Sequence, residues 1–311
     1  MAEPVPDLNK VRAGGKAALA RVLGLIESDA DSADTVRLLD EAWANPKGHV
    51  IGLTGPPGVG KSSLMGALIK AWRAGGRAVG VVAVDPSSRS TRGALLGDRT
   101  RLATDPADEG VFVRSMAARD RLGGLAALTV PTMVLMRAIY DIVVIETVGV
   151  GQSETDVAEV ADTVVFCVQP GSGDSLQYMK AGIMEVPHIA VVTKADMGSV
   201  ATRARSDVRG ALGLAVRDAG DWTPPVLLVS ASNGDGIADL ITAIDDHQAA
   251  LGPDGRSRSR EVQGQRWFED MIRGRFGSEG LRAGGGLIKD ISGSPFAREQ
   301  AIAKRLKVVA D

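Results

Sequence analysis

A single cysteine, Cys167, stands in the 311-residue chain. One thiol cannot build a disulfide framework, so a reducing compartment is expected. An excess of charge of either sign is also missing. The formal net charge is -2 at pH 7, too small for bulk electrostatics to recruit nucleic acid or an acidic membrane. No uninterrupted apolar run approaches the ~20 residues of a membrane span. The opening MAEPVPDLNKVRAGGKAALARVLGLIE lacks the basic start of a secretory leader, and Arg21 interrupts its apolar part, so it reads as an amphipathic helix. Histidines are few: His49, His188 and His247 stand far apart and read as loop or core residues rather than as a soft-metal ligand set. With 44% hydrophobic and 24% charged residues, both ordinary values, a soluble cytoplasmic protein is the expectation.

What is present changes texture along the chain. Residues 1–47 read as two helices, about Val11 to Glu27 and Ala33 to Ala44, closed by the Asn45-Pro46 break. From His49 onward, short β-branched runs alternate with helical segments: HVIGLTG, RAVGVVAVD, DIVVIET, TVVFCVQ, HIAVVTKAD and PVLLVSAS. These runs are apolar on both faces, as buried parallel strands must be. Helical spacing lies between them at Lys61–Ala74, Ser153–Ala161, Ser175–Glu185 and Val200–Ala215. The alternation predicts an α/β fold, a mostly parallel sheet covered by helices on both faces. GPDGRSRSRE, Gly252 to Glu261, reads as a solvated linker, followed by a helical segment with an apolar stripe at Trp267, Phe268, Met271 and Ile272. That stripe suits either the chain's own core or a subunit interface.

GPPGVGKS, Gly55 to Ser62, matches G-x-x-x-x-G-K-S/T between a strand and a helix. Gly55, Pro56, Pro57, Gly58, Val59 and Gly60 form the candidate phosphate cradle, with Lys61, Ser62 and Ser63 opening the helix. Inward-turned N–H groups and the helix N-terminus attract phosphate, Lys61 reaches the terminal phosphates, and Ser62 offers a hydroxyl to Mg2+. Asp85 ends a strand and Asp98 lies in GALLGDRTR. Strand-end loops of such a sheet converge on one crevice, so both carboxylates are candidates to serve the metal. Glu146 ends DIVVIE, where its extra methylene suits contact through a metal-bound water, and Gly149 in the following TVGVG lets backbone approach the γ-phosphate.

TKAD, Thr193 to Asp196, resembles the guanine-reading N-K-x-D box with Thr in place of Asn. Asp196 can accept from guanine N1 and N2, and Lys194 can lay its stem along the base. Each charge-assisted bond is worth roughly 1.5–3 kcal/mol, enough to favour GTP over ATP. Ser230, Ala231 and Ser232 in SASNGDG fit the auxiliary loop, with the Ala231 N–H reaching guanine O6. The domain reading is a helical extension over 1–47, a P-loop GTPase domain over 48–252 and a C-terminal helical arm over 253–311.

TGPPGVGKSSL, AVDPSSRSTRGALLGDRTR, IETVGVGQSE, PGSGDSLQYMKAGIME and TKAD, in that order, closely resemble the methylmalonyl-CoA mutase-associated GTPases. This is the bacterial MeaB type, long labelled ArgK, related to the hydrogenase and urease nickel-chaperone GTPases of the SIMIBI class. The resemblance implies that Glu146 is the Walker B carboxylate of this class and that Asp85 and Asp98 serve Mg2+. It also implies a homodimeric, GTP-hydrolysing chaperone, dimerising through the C-terminal arm. Its implied partner is an adenosylcobalamin-dependent acyl-CoA mutase, whose cofactor loading it gates and which it protects or reactivates. A cobalamin adenosyltransferase is a further implied partner. Pro170 to Lys180 corresponds to the family's switch segment, with Lys180 a catalytic cation acting in the partner complex.

Two departures stand out. Thr193 replaces the usual Asn, and its hydroxyl is expected to bridge to the P-loop instead. RSMAARDRLGGLAALTVPTMVLMRAI, Arg114 to Ile139, departs from the family wording after LGG. The alternatives are a metallochaperone GTPase for another metalloenzyme and a small-molecule kinase.

Overall fold

The structure is a computed structural model. It describes residues 5–85, 105–117, 128–147, 156–171, 187–214, 218, 221–284 and 293–310. Asp98, Gly149 and Lys180, the predicted helix 175–185 and most of the switch segment lie outside the described residues, and of Asp85 only the backbone is described.

Two compact units divide the chain. One is Gly48–Thr129 with Tyr140–Pro253; the other is Met1–Lys47, Val130–Ile139 and Asp254–Asp311. Among its described residues the first holds seven strands: β1 His49–Thr54, β2 Val79–Asp85, β3 Val111–Ala117, β4 Ile142–Glu146, β5 Thr163–Val168, β6 Ile189–Val192 and β7 Val226–Leu228. Their order is β3-β2-β4-β1-β5-β6-β7, with parallel pairings throughout. Six match the predicted runs. The seventh, β3, escapes the pattern because Arg114 and Ser115 interrupt it, which an edge strand paired only to β2 tolerates.

The continuous apolar runs divide between two faces by the period-2 rule. Val165 and Cys167 of β5, with Ile189 and Val191 of β6, join a core with Leu64, Leu68 and Trp72 of α4 (Lys61–Ala74). Helix α4 follows α1 Leu8–Ala13, α2 Gly15–Ser28 and α3 Ala33–Ala44. Phe166, Val168, Ala190 and Val192 point the other way, onto Ala201, Ala204, Val208 and Leu212 of the helix Ser199–Leu212. Each buried Val, Leu or Ile contributes about 1.5–3 kcal/mol, so the sandwiched sheet carries the unit. Ser153–Ala161, predicted helical, holds within its described part a three-residue 3-10 turn at Val157–Glu159.

The second unit gathers both ends of the chain. Asp7 and Ser32 cap α1 and α3, accepting from the Lys10 and Thr35 N–H groups. The Arg12 guanidinium donates to Ala138 O at 2.8 and 3.1 Å, satisfying a terminal carbonyl of the helix Thr129–Ile139. That helix was not foreseen in the sequence: its Pro131 sits in the first turn, where no helical hydrogen bond is lost. The Gly252–Glu261 stretch, read as a linker, is instead helical within Ile237–Gly284. Gly252 has φ +61, directly before Pro253, so the sequence signal for a break is real but confined to one backbone position. Beyond it, Phe268 and Ile272 are fully buried against Ile302, and Trp267 meets Trp43 edge-on at 5.9 Å. The apolar stripe thus packs on its own chain. No helix among the described residues is long and apolar enough to cross a membrane.

The three histidines, distant in sequence, converge at the strand starts. His49 Nε2 and His247 Nδ1 each lie 2.7 Å from Thr163 Oγ1, whose one proton lets it donate to one ring and accept from the other. His188 stacks on His247 with centroids 4.2 Å apart, and accepts from the Val164 N–H at Nδ1. Trp222 closes the cluster edge-on and donates to His188 O. Burial pushes His188 down to about 4 and His247 to about 3, the latter helped by the neighbouring imidazoles. An imidazole held neutral in the fold takes its proton more readily when unfolded, so stability is complete above the ordinary value of 6.5 and falls as pH drops below it. Denaturant unfolding between pH 7.5 and 5 should show stability declining below pH 6.5, by up to about 1.4 kcal/mol per pH unit for each of His188 and His247. A flat profile across that interval would contradict the burial of these two rings in the neutral form.

Candidate functional site

β1 ends at Thr54 in the middle of the sheet, and the loop 55–60 carries the chain from it into α4. Gly55 has φ +135, and a Cβ there would run into the Cys167 carbonyl oxygen of neighbouring β5. Only glycine lets the loop leave the sheet so close to its neighbour. Gly60, at φ +99, then turns the chain into the helix.

Lys61 is buried, and its ammonium donates to Gly55 O at 2.7 Å and Pro56 O at 3.0 Å. The cation therefore folds back over its own loop, held where anionic oxygens can take over from the carbonyls. Ser62 Oγ donates to Glu146 Oε1 at 2.8 Å. The β1–β4 register, Leu53 opposite Glu146, makes that contact possible: parallel neighbours stop in line. β2 aligns Ala83 with Glu146, so Asp85 lies two residues further out at the same strand ends. A hydroxyl and a carboxylate side by side are hard oxygen donors of the kind Mg2+ takes, since it retains waters and needs few protein ligands. Among the described residues no group of three or more His, Cys, Asp or Glu could hold a metal ion. The residues present fit Mg2+.

Cys167 lies beneath this loop, fully buried, and desolvation pushes its thiol up to about 12. Burial and the raised pKa both disfavour the thiolate that a nucleophile requires.

Thr193 follows β6, and its single hydroxyl proton lies between Val59 O at 2.7 Å and Val168 O at 3.1 Å. The expected bridge to the P-loop is present, made by a hydroxyl. Asp196 Oδ1 accepts from Ser230 Oγ at 2.7 Å, and Ser232 Oγ lies 2.8 Å from Ser230 Oγ. The Ser230 hydrogen bond, above all, lowers the Asp196 carboxyl below its ordinary value, with the Asp196 N–H next. A carboxylate so held stays an acceptor, ready for a pair of ring donors. Lys194 Nζ bonds Gln169 Oε1 at 2.9 Å and reaches Gly58 O at 3.4 Å. The structure thus brings together the P-loop, Glu146, the Thr-Lys-Ala-Asp box and the Ser230–Ser232 loop. Gln169 was not foreseen; its signal was a polar residue directly after an apolar strand, level with the box.

The family model described as methylmalonyl Co-A mutase-associated GTPase MeaB matches residues 19–281. A putative GTPase of Pyrococcus abyssi is 42% identical, over 81% of this chain and 78% of that protein. The mouse mitochondrial methylmalonic aciduria type A homolog is 37% identical, over 72% of this chain and 55% of that protein. Among solved structures, a LAO/AO transport system kinase superposes with TM-score 0.68 at 28% identity, covering 96% of each chain. With a P-loop sequence between β1 and α4 and a family match over most of its length, the chain is a GTPase and belongs to the methylmalonyl Co-A mutase-associated GTPase MeaB family.

Proposed function

We propose that this GTPase is the chaperone of an adenosylcobalamin-dependent acyl-CoA mutase, of the methylmalonyl-CoA type, and that it works as a cytoplasmic homodimer. It gates cofactor loading and protects or reactivates the mutase, with a cobalamin adenosyltransferase as a further partner. The observation that carries this reading is the family match over residues 19–281.

In this reading GTP binds with its phosphates in the loop 55–60 and against the N–H groups of Lys61, Ser62 and Ser63. Lys61 exchanges the carbonyls of Gly55 and Pro56 for phosphate oxygens. Ser62, Glu146, Asp85 and Asp98 hold Mg2+, directly or through water, and Gly149 gives backbone access to the γ-phosphate. The ion supplies positive charge that offsets the phosphate oxygens. Asp196, held by Ser230 and Ser232, accepts from guanine N1 and N2, while the Ala231 N–H donates to O6 and Lys194 covers the ring. Thr193 joins the box to the P-loop. Lys180 approaches the γ-phosphate in the mutase complex, where a cation stabilises transition-state charge. Against the kinase reading suggested by the transport-kinase structure stands the Thr-Lys-Ala-Asp box, whose carboxylate suits the ring donors of guanine rather than adenine.

Two measurements test this. Asp196→Asn should shift preference from GTP toward xanthosine triphosphate by at least about tenfold, because an amide donates to the C2 carbonyl where the carboxylate accepted. Competition binding of GTP, xanthosine triphosphate and ATP reads it, and an unaltered order would assign base reading elsewhere. Multiple-turnover phosphate release should rise when methylmalonyl-CoA mutase is added, and Lys180→Ala should remove most of that increment. No co-purification with the mutase in either GTP or GDP, together with no stimulation, would end the chaperone reading.

A further inference from the structure

Lys194 is held in a way that the guanine-reading role alone does not explain. It has φ +53, the only positive φ among the described non-glycine residues. A side chain in the left-handed region is strained, and the surroundings must offset that cost. The Lys194 side chain is tethered at the far end: the Nζ donates to Gln169 Oε1 at 2.9 Å, with Gly58 O further off at 3.4 Å. One acceptor belongs to the phosphate loop. The other stands at the end of β5.

Gln169 is well built for the task. It is the first residue after β5, and the β5–β6 register sets Val168 opposite Val192. Thr193 N–H then donates to Val168 O at 2.8 Å, so the residue before Lys194 is tied to the residue before Gln169. Pro170 follows and is buried, and a residue preceding proline is confined to extended backbone. The Gln169 side chain therefore starts from a fixed, half-buried point, while Lys194 itself is exposed and would otherwise sample many rotamers.

We propose that Gln169 is a positioning residue of the guanine pocket: its side-chain carbonyl holds the Lys194 ammonium so that the lysine stem is already laid where the base stacks. This rests on Lys194 and Asp196 reading guanine, as proposed above. Ordering the stem before the nucleotide arrives removes part of the entropy that binding must otherwise supply. Among variants of one binding site, differences in affinity fall mostly on dissociation, so the effect is read in nucleotide release.

The test is the release rate of a fluorescent GDP from the full-length protein with Mg2+, in a double-mutant cycle. Gln169→Leu should speed release roughly three- to tenfold, the range of one ordinary net hydrogen bond, since the Lys194 ammonium is exposed and water replaces part of the contact. Gln169→Glu, which keeps an acceptor for the ammonium, should release at the wild-type rate or more slowly. In a Lys194→Ala background, Gln169→Leu should add less than about twofold, because its partner is gone. Wild-type release from Gln169→Leu, or the same acceleration with and without Lys194, would overturn the proposal, the second by showing a general effect on the strand end. Failure of the underlying reading looks different. Lys194→Ala and Asp196→Asn would then both retain wild-type release and wild-type preference for GDP over ADP, which overturns the positioning role with it.

Discussion

The placement of every group at the nucleotide end follows from one constraint: β1 is clamped in parallel register between β4 and β5. Parallel strands pair with a fixed offset and finish together, so their last residues become neighbours without any loop having to search for them. Leu53 opposite Glu146 brings the carboxylate to Ser62. Leu53 opposite Val165 carries Cys167 to the Gly55 turn, where only a residue without a side chain passes. β5 hands the same alignment to β6, setting Val168 beside Thr193. A one-residue slip in any pairing would turn the polar strand-end groups toward the opposite face.

Much of this was legible in the sequence, for a physical reason. Buried parallel strands must be apolar on both faces, so β1, β2, β4, β5 and β6 stand out as Val- and Ile-rich runs, and phosphate loops need glycine at fixed intervals. The signal weakens wherever burial is partial. β3 carries Arg114 and Ser115 because an edge strand need not be apolar throughout. The helix Thr129–Ile139 hides behind Pro131, which reads as a breaker until its place in the first turn is known. Polar composition between Gly252 and Glu261 suggested an irregular linker, yet arginine and serine are compatible with a helix whose outer face meets water.

Other features lay beyond any one-dimensional reading. The histidines come from the start of β1, the approach to β6 and the helix 237–284, and nothing in their spacing predicts that His49 and His247 share one threonine hydroxyl while His188 stacks on His247. Gln169 likewise gains its meaning from Lys194, which is local only across the sheet. Thr193 shows the opposite case. Its departure from the usual asparagine was plain in the sequence, and the hydroxyl makes the bridge its chemistry allowed.

Cys167 carries a consequence for redox biology. Oxidation by peroxide, alkylation and disulfide exchange all begin with a thiolate, and desolvation holds this thiol protonated far above physiological pH. It is also the chain's sole sulfhydryl, lying in the strand that borders the phosphate loop. Sensing of an oxidant through a cysteine is therefore disfavoured in this chain, since its one thiol sits protonated in the core beneath the phosphate loop. The side chains whose oxidation needs no thiolate are the nine methionines, so they rather than Cys167 are where an oxidant would act on this chain directly.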